Sequence, residues 1–176
     1  MSIEFEAKVI EVNPEEIEKK IVKLGGTKVG SVRMKRYVYN INPERRGHWI
    51  RLRDDGKQIT LTVKKIHNDG ISGTEEEEIK VEDFEKTNDL LLLMGFTPTA
   101  YQENQRTSFI LNNAQLEIDH WPMIPPYLEI EAESKEQVLQ VASLLGYKES
   151  ELTGENTTKI YARYEINLSG IKDLRF

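Results

Sequence analysis

Charged and apolar residues alternate along many short segments of this chain. In residues 4–9, every second side chain is charged (Glu4, Glu6 and Lys8) and those between them are apolar. Residues two apart share one face of a β-strand, so the alternation predicts a strand with one charged and one apolar face. Similar alternation predicts seven further strands, at residues 29–41, 48–54, 58–66, 75–81, 100–111, 115–120 and 127–132.

Other segments show the helical period instead. Apolar Ile17 and Ile21 follow Asn13-Pro14, which predicts a capped helix ended by Gly25-Gly26. Helices are also predicted at 83–94, at 134–146 and, in the C-terminal stretch, at 155–167. The segments Asn42-Pro43 to Gly47 and Asp54-Asp55-Gly56 are predicted to be loops between strands. Most connections between strands are short, which favours a mainly antiparallel sheet in an α+β domain.

The charged strand faces carry clustered charges of one sign. Glu4/Glu6, Arg51/Arg53, Glu76/Glu78 and Glu129/Glu131 are same-sign pairs two residues apart. Like charges this close destabilise a sheet. A strand face that is merely exposed to solvent would therefore not be expected to carry these same-sign pairs. The alternative is a barrel whose interior is the polar face, with the apolar face outside under the helices. Clustered carboxylates and arginines would there suit a metal ion together with a polyphosphate.

Composition narrows the function further. The chain has 176 residues, enough for one domain, and 30 Asp/Glu against 24 Lys/Arg give a net charge of −6, which argues against nucleic-acid binding. There is no cysteine, and the three histidines show no metal-ligand spacing. No apolar run is long enough to span a membrane, and the first residues show no export signal, so we expect a cytoplasmic protein.

The residues on the charged faces resemble, in order, the motifs of the CYTH superfamily of triphosphate tunnel metalloenzymes. Glu4-Phe5-Glu6-Ala7-Lys8 matches its ExExK signature. The later matches are Arg51 and Arg53, Lys64, Glu76 and Glu78, Arg106, Asp119, and Glu129 and Glu131. The resemblance implies a single CYTH domain over residues 1–176, folded as an eight-stranded antiparallel barrel with a polar interior and helices outside.

The resemblance also implies roles for these residues. The basic side chains Lys8, Arg51, Arg53, Lys64 and Arg106 would bind the triphosphate. The acidic side chains Glu4, Glu6, Asp119, Glu129 and Glu131 would hold Mg²⁺ or Mn²⁺, with Glu76 and Glu78 adding charge in the tunnel. Glu129, Glu131 and Lys64 would take part in catalysis. Some family members have a basic residue where this chain has Asn104. Some also have a lysine near the C-terminus, which Lys159 matches only weakly.

Three functions are consistent with this site. The favoured one is metal-dependent hydrolysis of an inorganic, nucleoside or thiamine triphosphate. The alternative is a class IV adenylyl cyclase that forms cyclic AMP and diphosphate from ATP. The third is a polyphosphate- or nucleotide-binding module without turnover. The expected partner is therefore a small-molecule triphosphate rather than nucleic acid or a membrane, and a homodimer is a further hypothesis, because the apolar outer face could exceed what the helices cover.

Overall fold

A computed structural model describes residues 1–42 and 47–176, so the loop predicted from Asn42-Pro43 to Gly47 lies largely outside the described residues. The long elements follow the predicted order with shifts of a few residues at their ends. The strands are β1 (Ser2–Val9), β2 (Thr27–Asn40), β3 (His48–Asp54), β4 (Ile59–Ile66), β5 (Thr74–Val81), β6 (Pro98–Leu111), β7 (Ala114–His120), β8 (Tyr127–Ala132) and the short β9 (Asp173–Leu174). The helices are α1 (Pro14–Lys23), α2 (Phe84–Leu93), α3 (Lys135–Leu144) and α4 (Thr157–Arg163).

The eight long strands close into an antiparallel barrel. Around the barrel the order is β2-β3-β4-β5-β1-β8-β7-β6, and β6 pairs with β2 to complete the ring. The closing β2–β6 ladder runs from Thr27↔Ile110 to Tyr39↔Pro98. In this order β2 lies across the barrel from β1, and β3 lies across from β8. The predicted α+β barrel is thus confirmed, with β9 as an unpredicted extra strand that pairs in parallel with β6.

The helix ends follow from local chemistry. The side chain of Asn13 accepts hydrogen bonds from the amides of Glu15 and Glu16, and Ser134 accepts one from the amide of Gln137. Both side chains satisfy amides that lack a partner in the first turn of a helix. Gly25 follows α1 with φ +89°, a backbone conformation that favours glycine. The predicted C-terminal helix is shorter than expected and is confined to α4, which Asn156 caps.

The apolar core lies outside the barrel, between its outer face and the helices. The largest cluster joins α1 and α3 to β1, β6, β7 and β8 through residues such as Ile21, Leu116 and Val138. A second cluster packs α2 against β2 and β3. A third joins α4 to Trp121, which directly follows β7, and to Tyr127, which begins β8. The helices therefore cover the apolar face of the sheet, which in a β-sandwich would lie inside, between two sheets.

One apolar surface remains uncovered at the end of α2. Leu90, Leu93 and Met94 are exposed, Leu93 to 86%. Such a patch is consistent with self-association, and the homodimer stays a prediction. Among residues 1–42 and 47–176, no helix is both long and apolar enough to cross a membrane.

The outer core should carry much of the stability. Leu116 is fully buried in the largest cluster, so Leu116→Ala should lower the free energy of unfolding by about 2–5 kcal/mol. The same change at exposed Leu93 should alter it by less than about 0.5 kcal/mol. Urea denaturation of both variants gives the comparison. Equal losses would contradict the assignment of the core to the outer face.

Candidate functional site

The strand registers bring the charged side chains onto the inner face of the barrel. Directly paired residues of neighbouring strands point to the same side of a sheet. The pairs Lys8↔Glu129, Glu6↔Glu131, Arg106↔Asp119 and Lys64↔Glu76 therefore share one lumen. All the residues predicted for the site lie on this face: Glu4, Glu6, Lys8, Arg51, Arg53, Lys64, Glu76, Glu78, Arg106, Asp119, Glu129 and Glu131.

Arg106 is enclosed by carboxylates. It bonds Asp119 through two nitrogens at 2.8 and 2.6 Å, bonds Glu129 at 3.0 Å, and contacts Glu117. Burial disfavours the charge of Arg106, but Asp119 and Glu129 outweigh that effect and raise its pKa. Glu117 was not among the predicted site residues, although its alternation with Asp119 placed it on the same face. This arginine is therefore already compensated within the protein.

Two lysines are held in similar ion pairs. The Lys8 ammonium lies 2.9 Å from Glu6 and 3.1 Å from Glu129. Burial opposes its charge, yet the two carboxylates keep the pKa of Lys8 above its usual value. The Lys64 ammonium lies 2.7 Å from Glu4 and 3.1 Å from Glu76. Both lysines thus connect strand β1 to its neighbours in the ring.

Three guanidinium groups form the opposite side of the lumen. We call Arg36 of β2 together with Arg51 and Arg53 of β3 the arginine wall. Glu78 is the carboxylate that pairs with Arg51 and Arg53, at 3.2 and 3.6 Å. The neighbouring Arg51 and burial lower the pKa of Arg53 to about 10. Burial and the nearby arginines lower the pKa of Arg36 to about 9. Cationic charge is therefore concentrated on β2 and β3.

The sequence pattern did not identify Arg36 as a site residue. Basic residues occur on both faces of β2, because Arg33 and Lys35 point outward while Arg36 points inward beside Met34. No clean alternation marks Arg36 as an interior residue. The structure reveals it through the register Arg36↔Arg53 and through its exposure of only 8%.

Asn104 takes part in the site, whereas Lys159 does not. Asn104 is fully buried; its amide donates to Asp119 at 3.0 Å and its carbonyl oxygen accepts from Arg36. It therefore links the arginine wall to the network around Arg106. Lys159 pairs with Asp69 on the surface and does not join the interior ion pairs.

The carboxylates expected to bind a metal fall into two groups. Asp119 and Glu129 are bonded to cationic side chains, as described above. Glu131 makes no hydrogen bond or ion pair with any described side chain, and it lies directly across the ladder from Glu6. Burial, then Glu129 and Glu6, raise the pKa of Glu131. Within residues 1–42 and 47–176, no three histidine or carboxylate side chains form a ready-made metal cage.

Glu4 contacts Lys64 and is also crowded by neighbouring carboxylates. Burial and Glu6 raise its pKa to about 8 despite the contact with Lys64. Glu4, Glu6 and Glu131 lie on β1 and β8, directly across the lumen from the arginine wall. Crowded carboxylate oxygens suit a hard divalent cation, which would relieve their repulsion. The donor chemistry therefore fits Mg²⁺ or Mn²⁺.

The raised pKa of Glu4 gives a pH dependence. Between an ordinary value of 4.5 and about 8, the folded protein retains a proton that the unfolded chain has released, so stability falls as pH rises through this window. The metal-free native protein should therefore lose melting temperature from pH 5 to pH 8. Glu4→Gln should flatten that slope and exposed Glu133→Gln should keep it. Parallel melting curves for native protein and Glu4→Gln would contradict this assignment.

Arg106 and Arg53 should respond oppositely to loss of charge. Arg106→Met would leave the buried carboxylates Glu117 and Asp119 without their cationic partner and Glu129 with Lys8 alone, and it should cost about 3–5 kcal/mol of unfolding free energy. Arg53→Met relieves repulsion from Arg51 and should leave the ligand-free protein equally stable or more stable. Chemical denaturation at pH 7 without added ligand makes the comparison. A similar loss in both variants would show that the arginine wall is compensated like Arg106.

Comparison with known proteins agrees with this architecture. The PH1012 protein from Pyrococcus horikoshii OT3 is 25% identical, with a TM-score of 0.75 over 88% of this chain and 96% of that one. A proposed adenylate cyclase from Vibrio parahaemolyticus is 14% identical, with a TM-score of 0.77 over 92% of this chain and 98% of that one.

HpAC1 from Hippeastrum, described as having a dominant triphosphatase activity, is 14% identical, with a TM-score of 0.56 over 94% of this chain and 96% of that one. Among curated proteins, none shows significant sequence similarity to this chain. The sequence profile of the CYTH domain matches residues 2–164. With the barrel and its charged lumen, that match over nearly the whole length establishes that the chain belongs to the CYTH family.

Proposed function

We propose that this protein is a divalent-metal-dependent phosphohydrolase that binds a triphosphate inside the barrel and hydrolyses it. The observation that carries the proposal is the segregation of charge across the lumen. On one side Arg51 and Arg53 share Glu78, and Arg36 beside them makes no ion pair with a described residue; on the other side Glu4, Glu6 and Glu131 crowd together. A polyanion against the first side and a divalent cation against the second would compensate both.

The basic side chains would bind the substrate in two ways. Arg51 and Arg53 carry more positive charge than their paired carboxylate compensates. Their planar guanidinium groups suit phosphate oxygens. Lys8, Lys64 and Arg106 already contact carboxylates, so phosphate oxygens would share them rather than meet free cations. Inorganic, nucleoside and thiamine triphosphates all present the polyphosphate group that these side chains recognise.

Glu4, Glu6 and Glu131 would hold Mg²⁺ or Mn²⁺. Glu4 and Glu6 each contact one lysine, whereas Asp119 accepts two bonds from Arg106 and Glu129 contacts both Lys8 and Arg106, so these two carboxylates have less free capacity for a cation. A bound divalent cation supplies charge neutralisation at phosphate oxygens and lowers the pKa of a coordinated water. The chain's own contribution is to hold the carboxylate oxygens of Glu4, Glu6 and Glu131 opposite the arginine wall. Such pre-positioned electrostatics supply most of the catalysis in phosphoryl transfer.

Of the two glutamates of β8, Glu131 is the better proton acceptor. Glu129 is tied to Lys8 and Arg106, which outweigh its burial and hold its pKa low. Among residues 1–42 and 47–176 Glu131 has no such cationic partner, and its pKa in the metal-free protein is raised. In the proposed step, water oxygen forms a bond to the terminal phosphorus and the bridging P–O bond breaks. The water proton passes to Glu131, and diphosphate leaves with the bridging oxygen when the substrate is inorganic triphosphate.

A product assay tests the proposal. The protein is incubated separately with inorganic triphosphate, ATP and thiamine triphosphate, each with Mg²⁺ or Mn²⁺, and phosphate, diphosphate and cyclic AMP are measured together. Phosphate release that requires the metal is the expected result. Cyclic AMP and diphosphate as the main products from ATP would establish the cyclase instead, and tight binding without any product would leave a binding module.

Glu131→Gln tests the step itself. This change should lower kcat about 100-fold or more and change KM little, since it removes the proton acceptor and a metal ligand. Glu77→Gln is the matched control, because Glu77 is on the outer face of β5 and its side chain is 63% exposed. Steady-state kinetics of both variants gives the comparison. A loss confined to KM in Glu131→Gln would remove Glu131 from the catalytic step.

A further inference from the structure

One row of interior side chains crosses strands β2, β3 and β4. Arg36 pairs with Arg53, and Arg53 pairs with Thr60, so the three side chains are successive neighbours on the inner face. Arg36 is 8% exposed and Thr60 is 2% exposed. Neither Arg36 nor Thr60 belongs to the residues that the family motifs mark.

This part of the lumen contains buried polar atoms without partners. Arg36 Nε, Arg51 Nε and Thr60 Oγ1 have no hydrogen-bond partner among residues 1–42 and 47–176. Buried polar atoms are nearly always satisfied in proteins, since leaving one unpaired is costly. These three atoms lie on two adjacent rows of the same side of the lumen. They therefore indicate a binding site for a ligand that accepts hydrogen bonds.

Charge gives the same indication independently. Within the described ranges Arg36 makes no ion pair, and its bonded neighbour is the neutral side chain of Asn104. Its guanidinium carbon lies 4.6 Å from the ring centre of Trp121, which covers that group on an apolar side. Arg106, by contrast, is also largely enclosed but touches three carboxylates. A buried cation left without a counter-charge is unfavourable until an anion reaches it.

We propose that Arg36 and Thr60, together with Arg51 and Arg53, form a phosphoryl-binding subsite that selects triphosphate over shorter phosphate chains. This inference rests on the proposed function and adds two residues to its substrate contacts. The subsite is on β2, β3 and β4, whereas the crowded carboxylates are across the lumen on β1 and β8. A triphosphate has one phosphoryl group more than diphosphate, so it can extend further from the subsite toward a cation held by the carboxylates opposite. We therefore expect the contact made by Arg36 to strengthen triphosphate binding more than diphosphate binding.

Calorimetric titration with inorganic triphosphate and with diphosphate, in Mg²⁺ and in EDTA, tests the subsite. Arg36→Gln should weaken triphosphate binding at least about tenfold, as expected for loss of a charge-assisted contact, and diphosphate binding by less than about threefold. Arg33→Gln is the matched control, since Arg33 is on the same strand but points outward and is half exposed. Its affinities should stay within about twofold of the native values.

Thr60→Val provides a second variant that does not depend on the folding of Arg36→Gln. The hydroxyl of Thr60 has no hydrogen-bond partner in the part of the chain that the structure describes, so its removal should leave the melting temperature of the ligand-free protein unchanged or higher. The same change should weaken triphosphate binding about threefold or more. A residue with a purely structural role would not combine these two effects.

The outcomes separate the two proposals. If the native protein binds no triphosphate, the proposed function and the subsite both fail. If the native protein binds triphosphate and Arg51→Gln weakens that binding, while Arg36→Gln and Thr60→Val bind as tightly as the native protein, the subsite alone is overturned. Equal losses for triphosphate and diphosphate in Arg36→Gln would overturn its role in selecting chain length.

Discussion

Closure of the barrel by the β2–β6 ladder is the constraint on which the rest of the structure depends. Closure turns the inner faces of the eight long strands, with the charged side chains of the site, away from bulk water. Charges removed from water must meet opposite charges or ligands. The interior ion pairs follow from this requirement. Lys8, Lys64 and Arg106 each join carboxylates from different strands, so the same contacts that compensate charge also tie β1, β5, β7 and β8 together.

Compensation is uneven around the ring, and the unevenness is what makes the lumen a site. Glu4 and Glu131 have raised pKa values on one side, while Arg36 and Arg53 have lowered ones on the other. Each side is held in an unfavourable charge state that a ligand of opposite sign would relieve. A protein selected only for stability would have paired these groups with each other, as it has paired Arg106 with Asp119.

Apolar packing on the outside of the barrel offsets the unfavourable free energy of the charged interior. Helices α1, α2 and α3 pack on the outer face, and the buried clusters there contain many of the large aliphatic residues of the chain. The net charge of −6 is therefore a poor guide to the ligand, because it averages an arginine-rich wall with the carboxylates opposite it. Local charge, and not the total, decides which ligand the lumen can hold.

The sequence by itself determined the elements and the face on which each predicted site residue lies, because alternation at period two is a local property of a strand. The same-sign pairs, such as Arg51 with Arg53, also indicated an enclosed face. Only the tertiary structure decided which charges meet. Register and ring order paired Glu129 with Lys8 and Arg106, left Glu131 without an ion pair among the described residues, and brought Arg36 beside Arg53. These contacts join residues far apart in the chain, and the local pattern in β2, with basic residues on both faces, holds no information about them.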